Sequence, residues 1–250
     1  MAADYSEVPT GTPARATSRF WKSGVLQCVV LSVLGGAAGC GLVGRIAPVF
    51  TVPPEFHLPD MGPPPEKVAA WQAVQSRVDR WNAMIELACL GGCIAGAVAL
   101  GESIRRRSVA PLGIALPLGA VAGCVAGVAG SLAVESFDFR SVASVTETVK
   151  VQAVMLSILG FGIGAAWGLT TGRPRLAWMS GMAGLAAGFL VGLLYPVVAS
   201  FVLPSANTAA LIPGGLWNRL LWIELAAAAY GALVVATLTS APRSERPSPP

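Results

Sequence analysis

The sequence predicts an all-α fold, a polytopic transmembrane helical bundle of six spans with both termini on the cytoplasmic side. Three observations predict it. Hydrophobic residues make up 54% of the 250 positions and charged residues only 12%, about half the charge of an average soluble domain. Six apolar stretches, at roughly 23–44, 82–101, 109–134, 151–170, 176–203 and 219–240, are each long enough to cross a hydrocarbon core of about 30 Å at a helical rise of about 1.5 Å per residue. Glycines recur four residues apart in consecutive stretches, which predicts glycine-zipper packing. A barrel strand would alternate polar and apolar residues, whereas these runs are apolar all round. With no water at membrane depth, the backbone must satisfy its own hydrogen bonds, and helices do so within one segment.

Residues 1–22 read as a cytoplasmic polar segment, with Arg15, Arg19 and Lys22 just before the first span. The first span contains the run Gly36-Ala37-Ala38-Gly39-Cys40. This run is similar to a lipobox, but Ala37 stands where leucine is preferred and the cysteine lies late. A retained first helix is therefore expected, and lipidation of Cys40 stays open. The spans and their connections, 23–240, form one transmembrane domain, and 241–250 reads as a disordered cytoplasmic tail. Orientation rests on the Arg105-Arg106-Arg107 and Gly172-Arg173-Pro174-Arg175 turns, on the basic N-terminal segment and on Arg243 and Arg246 of the tail. Short arginine-rich connections stay on the cytoplasmic side. Trp21, Trp167 and Trp178 then fall near the inner face, and Trp81, Trp217 and Trp222 near the outer one.

The 45–80 loop is the one sizeable segment outside the bilayer. Pro48, Pro53, Pro54, Pro59 and the run Pro63-Pro64-Pro65 predict an extended, helix-free first part. Trp71, Val74, Val78, Trp81 and Ile85 then recur at intervals of three and four, which predicts an amphipathic helix continuous with the second span. Resting on the membrane interface is its expected role, and a lid or partner-docking helix is the sharper alternative. Pro111, Pro117 and Pro196 are expected to bend the third and fifth spans.

The glycine faces are Gly119, Gly123 and Gly127 in the third span, Gly160, Gly164, Gly168 and Gly172 in the fourth, and Gly184, Gly188 and Gly192 in the fifth. Gly35 and Gly39, and Gly92 and Gly96, extend the pattern to the first two. Residues four apart share a helix face, so each span offers a bare groove to a neighbour. Close packing within the chain is expected, and a homo-oligomeric interface is its main rival. Two short internal matches, Leu31–Gly35 with Leu156–Gly160 and Ile85–Ala88 with Ile223–Ala226, imply different repeat schemes, and no inverted repeat is inferred from them.

Chemistry-bearing residues are few. Glu86 and Glu224 lie one to one and a half turns inside their spans, and Glu135 ends the third. These three are the candidate polar or ion site, because a carboxylate in lipid must face the bundle interior, water or a basic partner. Arg45, Arg80 and Arg219 are the partners that would neutralise them. The five cysteines, Cys28, Cys40, Cys89, Cys93 and Cys124, all lie in apolar segments. A soft-metal thiolate cluster is conceivable there, but small-residue packing is the expected role. His57 is the single histidine, and no metalloprotease, nucleophile-elbow, phosphate-loop or paired-aspartate motif occurs, so no catalytic residue, metal or cofactor is expected. The expected function is that of a multi-pass protein of the bacterial inner (plasma) membrane with a non-enzymatic structural or accessory role. The alternative is a small-solute or ion channel or transporter with an outer-facing acidic entrance. Its expected partners are the lipid bilayer, a further copy of itself or another membrane protein, and no nucleic acid.

Overall fold

The computed structural model describes residues 14–56, 64–136, 145–203 and 212–240. Six helices carry the fold: α1 (Ala14–Ile46), α2 (Pro65–Arg106), α3 (Ala110–Ser136), α4 (Val145–Thr170), α5 (Pro174–Val202) and α6 (Leu216–Ser240). There is no strand among the described residues. Five of these helices are long and apolar enough to cross a membrane, over Leu26–Ile46, Pro65–Ile104, Ala110–Val134, Thr148–Thr170 and Pro174–Val202.

Prolines set several of the boundaries. Pro65 and Pro174 open α2 and α5, where a fixed φ suits the first turn and the missing N–H costs nothing. Pro111 also falls in the first turn of α3 rather than inside it, so the bend expected there has no cause. Pro117 and Pro196 do lie inside their helices and leave the carbonyls of Gly113 and Gly192 without their usual donors. Two tight turns follow. Arg107, at φ 52° and ψ 41°, closes α2 in the left-handed region, and Gly172, at φ 75°, closes α4. A connection of three residues leaves an antiparallel neighbour as the outcome, so α2 packs on α3 and α4 on α5.

The helices close into a ring in chain order, with α1 touching both α2 and α6. Cross-contacts join α2 to α4 and α4 to α6, which puts these three toward the centre. Their side chains accordingly fill the core: Leu87, Leu90, Ile94, Met155, Leu156, Leu159, Trp222 and Ile223 are fully buried. Conversely, Leu26, Val30 and Leu34 of α1, Val121 and Val125 of α3, and Phe189, Leu190, Leu194 and Val197 of α5 are exposed. An outside this apolar is what a lipid-facing surface carries and a water-facing one avoids.

Backbones touch where glycines meet. A Cβ on Gly91 would overlap the Gly119 carbonyl and one on Gly119 the Gly91 carbonyl, so α2 and α3 meet there without side chains between them. Gly160 and Gly184 form the same reciprocal contact between α4 and α5. Gly123 faces Leu87, Gly127 faces Met84, Gly164 faces Ser180, Gly168 faces Ala177, Gly188 faces Leu156 and Gly192 faces Ala153. The backbone contact on the α2 side is at Gly91; of the Gly92 and Gly96 pair picked out by spacing, Gly92 meets only ordinary contacts with Leu116 and Ala120, while a Cβ on Gly96 would stand 2.6 Å from the Leu116 side chain. Gly172 leaves the row as well, because it belongs to the turn and no atom lies within 4 Å of its Cβ position.

The proline-rich segment departs from the helix-free expectation. Pro54–Phe56 forms a 3-10 turn, with the Phe56 N–H donating to the Pro53 carbonyl at 3.0 Å. Proline's fixed φ is as compatible with that turn as with extended chain. Beyond it, α2 runs unbroken from Pro65 through the amphipathic turns into its apolar part. Asn82 ties the segment down: its Oδ1 accepts from the N–H groups of Val49 and Phe50 at 3.1 and 2.9 Å, and its Nδ2 donates to the Phe50 carbonyl at 2.9 Å. The Phe50 ring sits 6.3 Å from that of Trp81. Asn82→Ala should therefore cost about 1 kcal/mol and speed hydrogen exchange several-fold at the Val49 and Phe50 amides, measured by mass spectrometry on the detergent-solubilised chain. Exchange there unchanged from wild type would mean that the amide clamp does not order the segment.

Candidate functional site

Two of the candidate acids, Glu86 and Glu224, lie on α2 and α6. Glu86 lies about one turn after Asn82 on α2 and is 7% exposed. Its Oε2 lies 3.6 Å from Nη2 of Arg219, too long for a hydrogen bond and close enough for an ion pair. Arg219, in the first turn of α6, also donates from Nε to the Pro213 carbonyl at 3.4 Å. One guanidinium thus connects α2, α6 and the chain leading into α6. Of the three arginines the sequence offered as partners, Arg219 is the one that meets Glu86.

Glu224 takes a different direction. Its carboxylate oxygens lie 3.3 and 3.4 Å from the position a Cβ on Gly36 would occupy, so the absence of a side chain on α1 makes room for it. It also borders an apolar groove of about 310 Å³ with Val202, Leu203, Trp217, Leu220 and Leu221. One oxygen of each acid, Oε2 of Glu86 and Oε2 of Glu224, is buried without a hydrogen-bond partner. Cys40, 2% exposed, lies within electrostatic reach of Glu86, Arg219 and Glu224. Glu86 thus faces Arg219 of α6 and Glu224 faces Gly36 of α1, and Glu86 does not line the groove that Glu224 borders. The Glu135 side chain lies outside the described residues.

A further set of buried side chains joins the helices at several depths. Trp222 Nε1 donates to Gln152 Oε1 at 2.9 Å, joining α6 to α4. Tyr195 OH donates to Asn218 Oδ1 at 2.7 Å, joining α5 to α6. Tyr230 OH reaches the Leu156 carbonyl at 2.7 Å, and Ser180 Oγ the Gly164 carbonyl at 2.7 Å. All these side chains are buried. Trp222 consequently leaves the interfacial belt assigned to it, for it is 0% exposed, while Trp217 and Trp81 remain open at 73% and 49%. A lone glutamine or asparagine inside an apolar stretch was the available signal, since a buried amide must find partners.

Cys124 comes within electrostatic reach of Cys89, and Cys93 packs against Gly39 of α1. Among the described residues no group of three or more potential metal ligands comes together. The arrangement supplies ion pairing and helix-to-helix hydrogen bonds. Compared with protein-family models, with curated proteins and with solved structures, the chain matches none of them.

Proposed function

We propose that the protein is a six-span integral membrane protein, both ends cytoplasmic, whose role is structural or accessory rather than catalytic. In this reading α6 crosses the bilayer with the other five helices, the glycine rows act as zippers within the chain, and the membrane is a bacterial plasma membrane. The observation that carries it is the use of the buried polar groups. Gln152, Tyr195, Asn218, Trp222, Tyr230 and Ser180 are occupied in bonds between helices, which stabilise a fixed bundle when lipid offers no competing partner. An accessory protein of this kind works by presenting surfaces, here the apolar flanks and the helical extension of α2, to lipid or to another membrane protein.

One observation favours a second reading, a cation-conducting path with an acidic entrance: a carboxylate oxygen on each of Glu86 and Glu224 is buried and accepts no hydrogen bond. Reconstitution separates the two. The purified chain in liposomes should pass sodium, potassium and protons no faster than empty vesicles, while cross-linking in native membranes captures a partner or a second copy. Cation flux above the empty-vesicle level that Glu86→Gln or Glu224→Gln abolishes would overturn the accessory role. Accessibility labelling of a cysteine introduced at His57 tests the orientation, which fails if that site reacts from the cytoplasm.

A further inference from the structure

α5 ends at Val202, where the Leu203 N–H donates back to the Ala199 carbonyl at 2.8 Å, and α6 begins at Leu216. Between the end of one helix and the start of the other lies an apolar groove of about 310 Å³. Val202 and Leu203 form one wall, and Trp217, Leu220, Leu221 and Glu224 form the other. The four α6 residues follow one another at steps of three, one and three, so they share a single helix face. At the helical rise that face runs about 10 Å from Trp217 to Glu224. Tyr195 OH donates to Asn218 Oδ1 at 2.7 Å and so fastens α5 to α6 at the residue next to Trp217. The walls are therefore set before anything enters.

The groove has one polar end. Val202 and Trp217 are exposed and leave it open to the outside of the bundle, and among its lining residues Glu224 alone carries a charge. Oε2 of Glu224 is buried without a hydrogen-bond partner. No cation answers it among the described residues, for Arg219 is occupied by Glu86 and the Pro213 carbonyl. Gly36 keeps α1 from closing over the carboxylate, because a Cβ there would stand 3.3 and 3.4 Å from its two oxygens. A carboxylate in these surroundings is costly until a positive charge reaches it. A bare metal cation would give up its water for one carboxylate and walls of leucine. An ammonium on an apolar body suits both ends instead. Its N–H groups serve the orphan oxygen, and its ring or short chain covers the leucines and the Trp217 indole.

We propose that this groove binds a lipophilic amine, a protonated nitrogen on a small aromatic body, with Glu224 as its counter-ion and Trp217 against its ring. A volume of about 310 Å³ lies at the lower end of ligand-sized pockets, about 300–1,000 Å³. It admits one ring on a short linker and is too small for a long-chain lipid. The site goes beyond the accessory role and does not depend on it, because binding is read without any flux.

The test dialyses the full chain in lipid nanodiscs against 4-phenylbutylamine and, separately, against 4-phenylbutanol, a neutral molecule of nearly the same shape. Empty nanodiscs subtract what the lipid absorbs. Saturable uptake of one amine per chain is expected, with the alcohol bound about tenfold more weakly, as the loss of a charged hydrogen bond implies. Glu224→Gln should bring the amine down to the level of the alcohol and leave the alcohol unchanged. Leu221→Trp, which fills the groove, should abolish saturable uptake of both, and Leu118→Trp on α3 should keep both. An aryl azide derivative of the amine should label peptides that contain Val202–Leu203 or Trp217–Glu224. Alcohol bound as tightly as the amine would make the groove a general cleft for lipid and overturn the proposal. Amine affinity that survives Glu224→Gln in a folded chain does the same, as does label confined to other helices. The wild-type comparison of amine with alcohol, together with the map of the label, decides the matter even if a variant fails to fold.

Discussion

Replacing Gly160 by leucine should unfold the α4–α5 hairpin, lowering stability by about 3 kcal/mol or more. A Cβ at this position would overlap the Gly184 carbonyl and stand 2.5 Å from the Tyr230 ring. Neither neighbour can retreat cheaply. Gly184 is backbone, and the Tyr230 hydroxyl is held by the Leu156 carbonyl at 2.7 Å. Driving the helices apart would also open the contacts of Gly164, Gly188 and Gly192 along the same face. The control is Gly41→Leu, at a glycine with no atom within 4 Å of its Cβ position. Thermal unfolding in mild detergent should show Gly41→Leu melting like wild type and Gly160→Leu largely unfolded or aggregated. A Gly160→Leu chain that melts normally but loses only its self-association would assign this glycine face to an interface between copies.

The second large effect is expected at Arg219. Removing its side chain leaves Glu86, 7% exposed, buried without the cation that stands 3.6 Å away. Breaking a buried pair from one side costs about 3–5 kcal/mol. The lower end applies here, because the pair is long and a fifth of the arginine side chain, 21%, stays exposed. Arg219→Ala should therefore lower the melting temperature markedly. Adding Glu86→Gln should recover most of the loss, since a neutral amide no longer needs a counter-charge. If the double variant is as unstable as Arg219→Ala, the cost comes from the lost Pro213 contact or from packing, and the ion pair holds little.

The carboxylates show where sequence reading reached its limit. Depth along a helix follows from counting residues, and counting set Glu86 and Glu224 at similar expected depths. Direction around the axis relative to other helices does not follow from counting. Glu86 turns toward Arg219 and Glu224 toward Gly36, and a single shared entrance was read from their similar depth alone. Trp222 failed for the same reason. A tryptophan near a span end is a good interfacial anchor by position, yet this one points inward at Gln152. Asn82 and Asn218 follow tryptophans in similar local sequence but do unlike work, one clamping the Phe50 backbone and the other receiving the Tyr195 hydroxyl.

What the sequence determined by itself is the helical class, the apolar segments and the faces on which glycine would lie. Those follow from hydropathy and from the 3.6-residue turn, which are properties of each segment alone. The tertiary structure decided which faces meet, that Gly91 rather than Gly92 supports the α2–α3 crossing, and that α1 closes the ring onto α6. The physical reason is that a bare helix face is equally ready for any neighbour. Only the shape of the rest of the bundle, with its short turns and its paired polar groups, selects one.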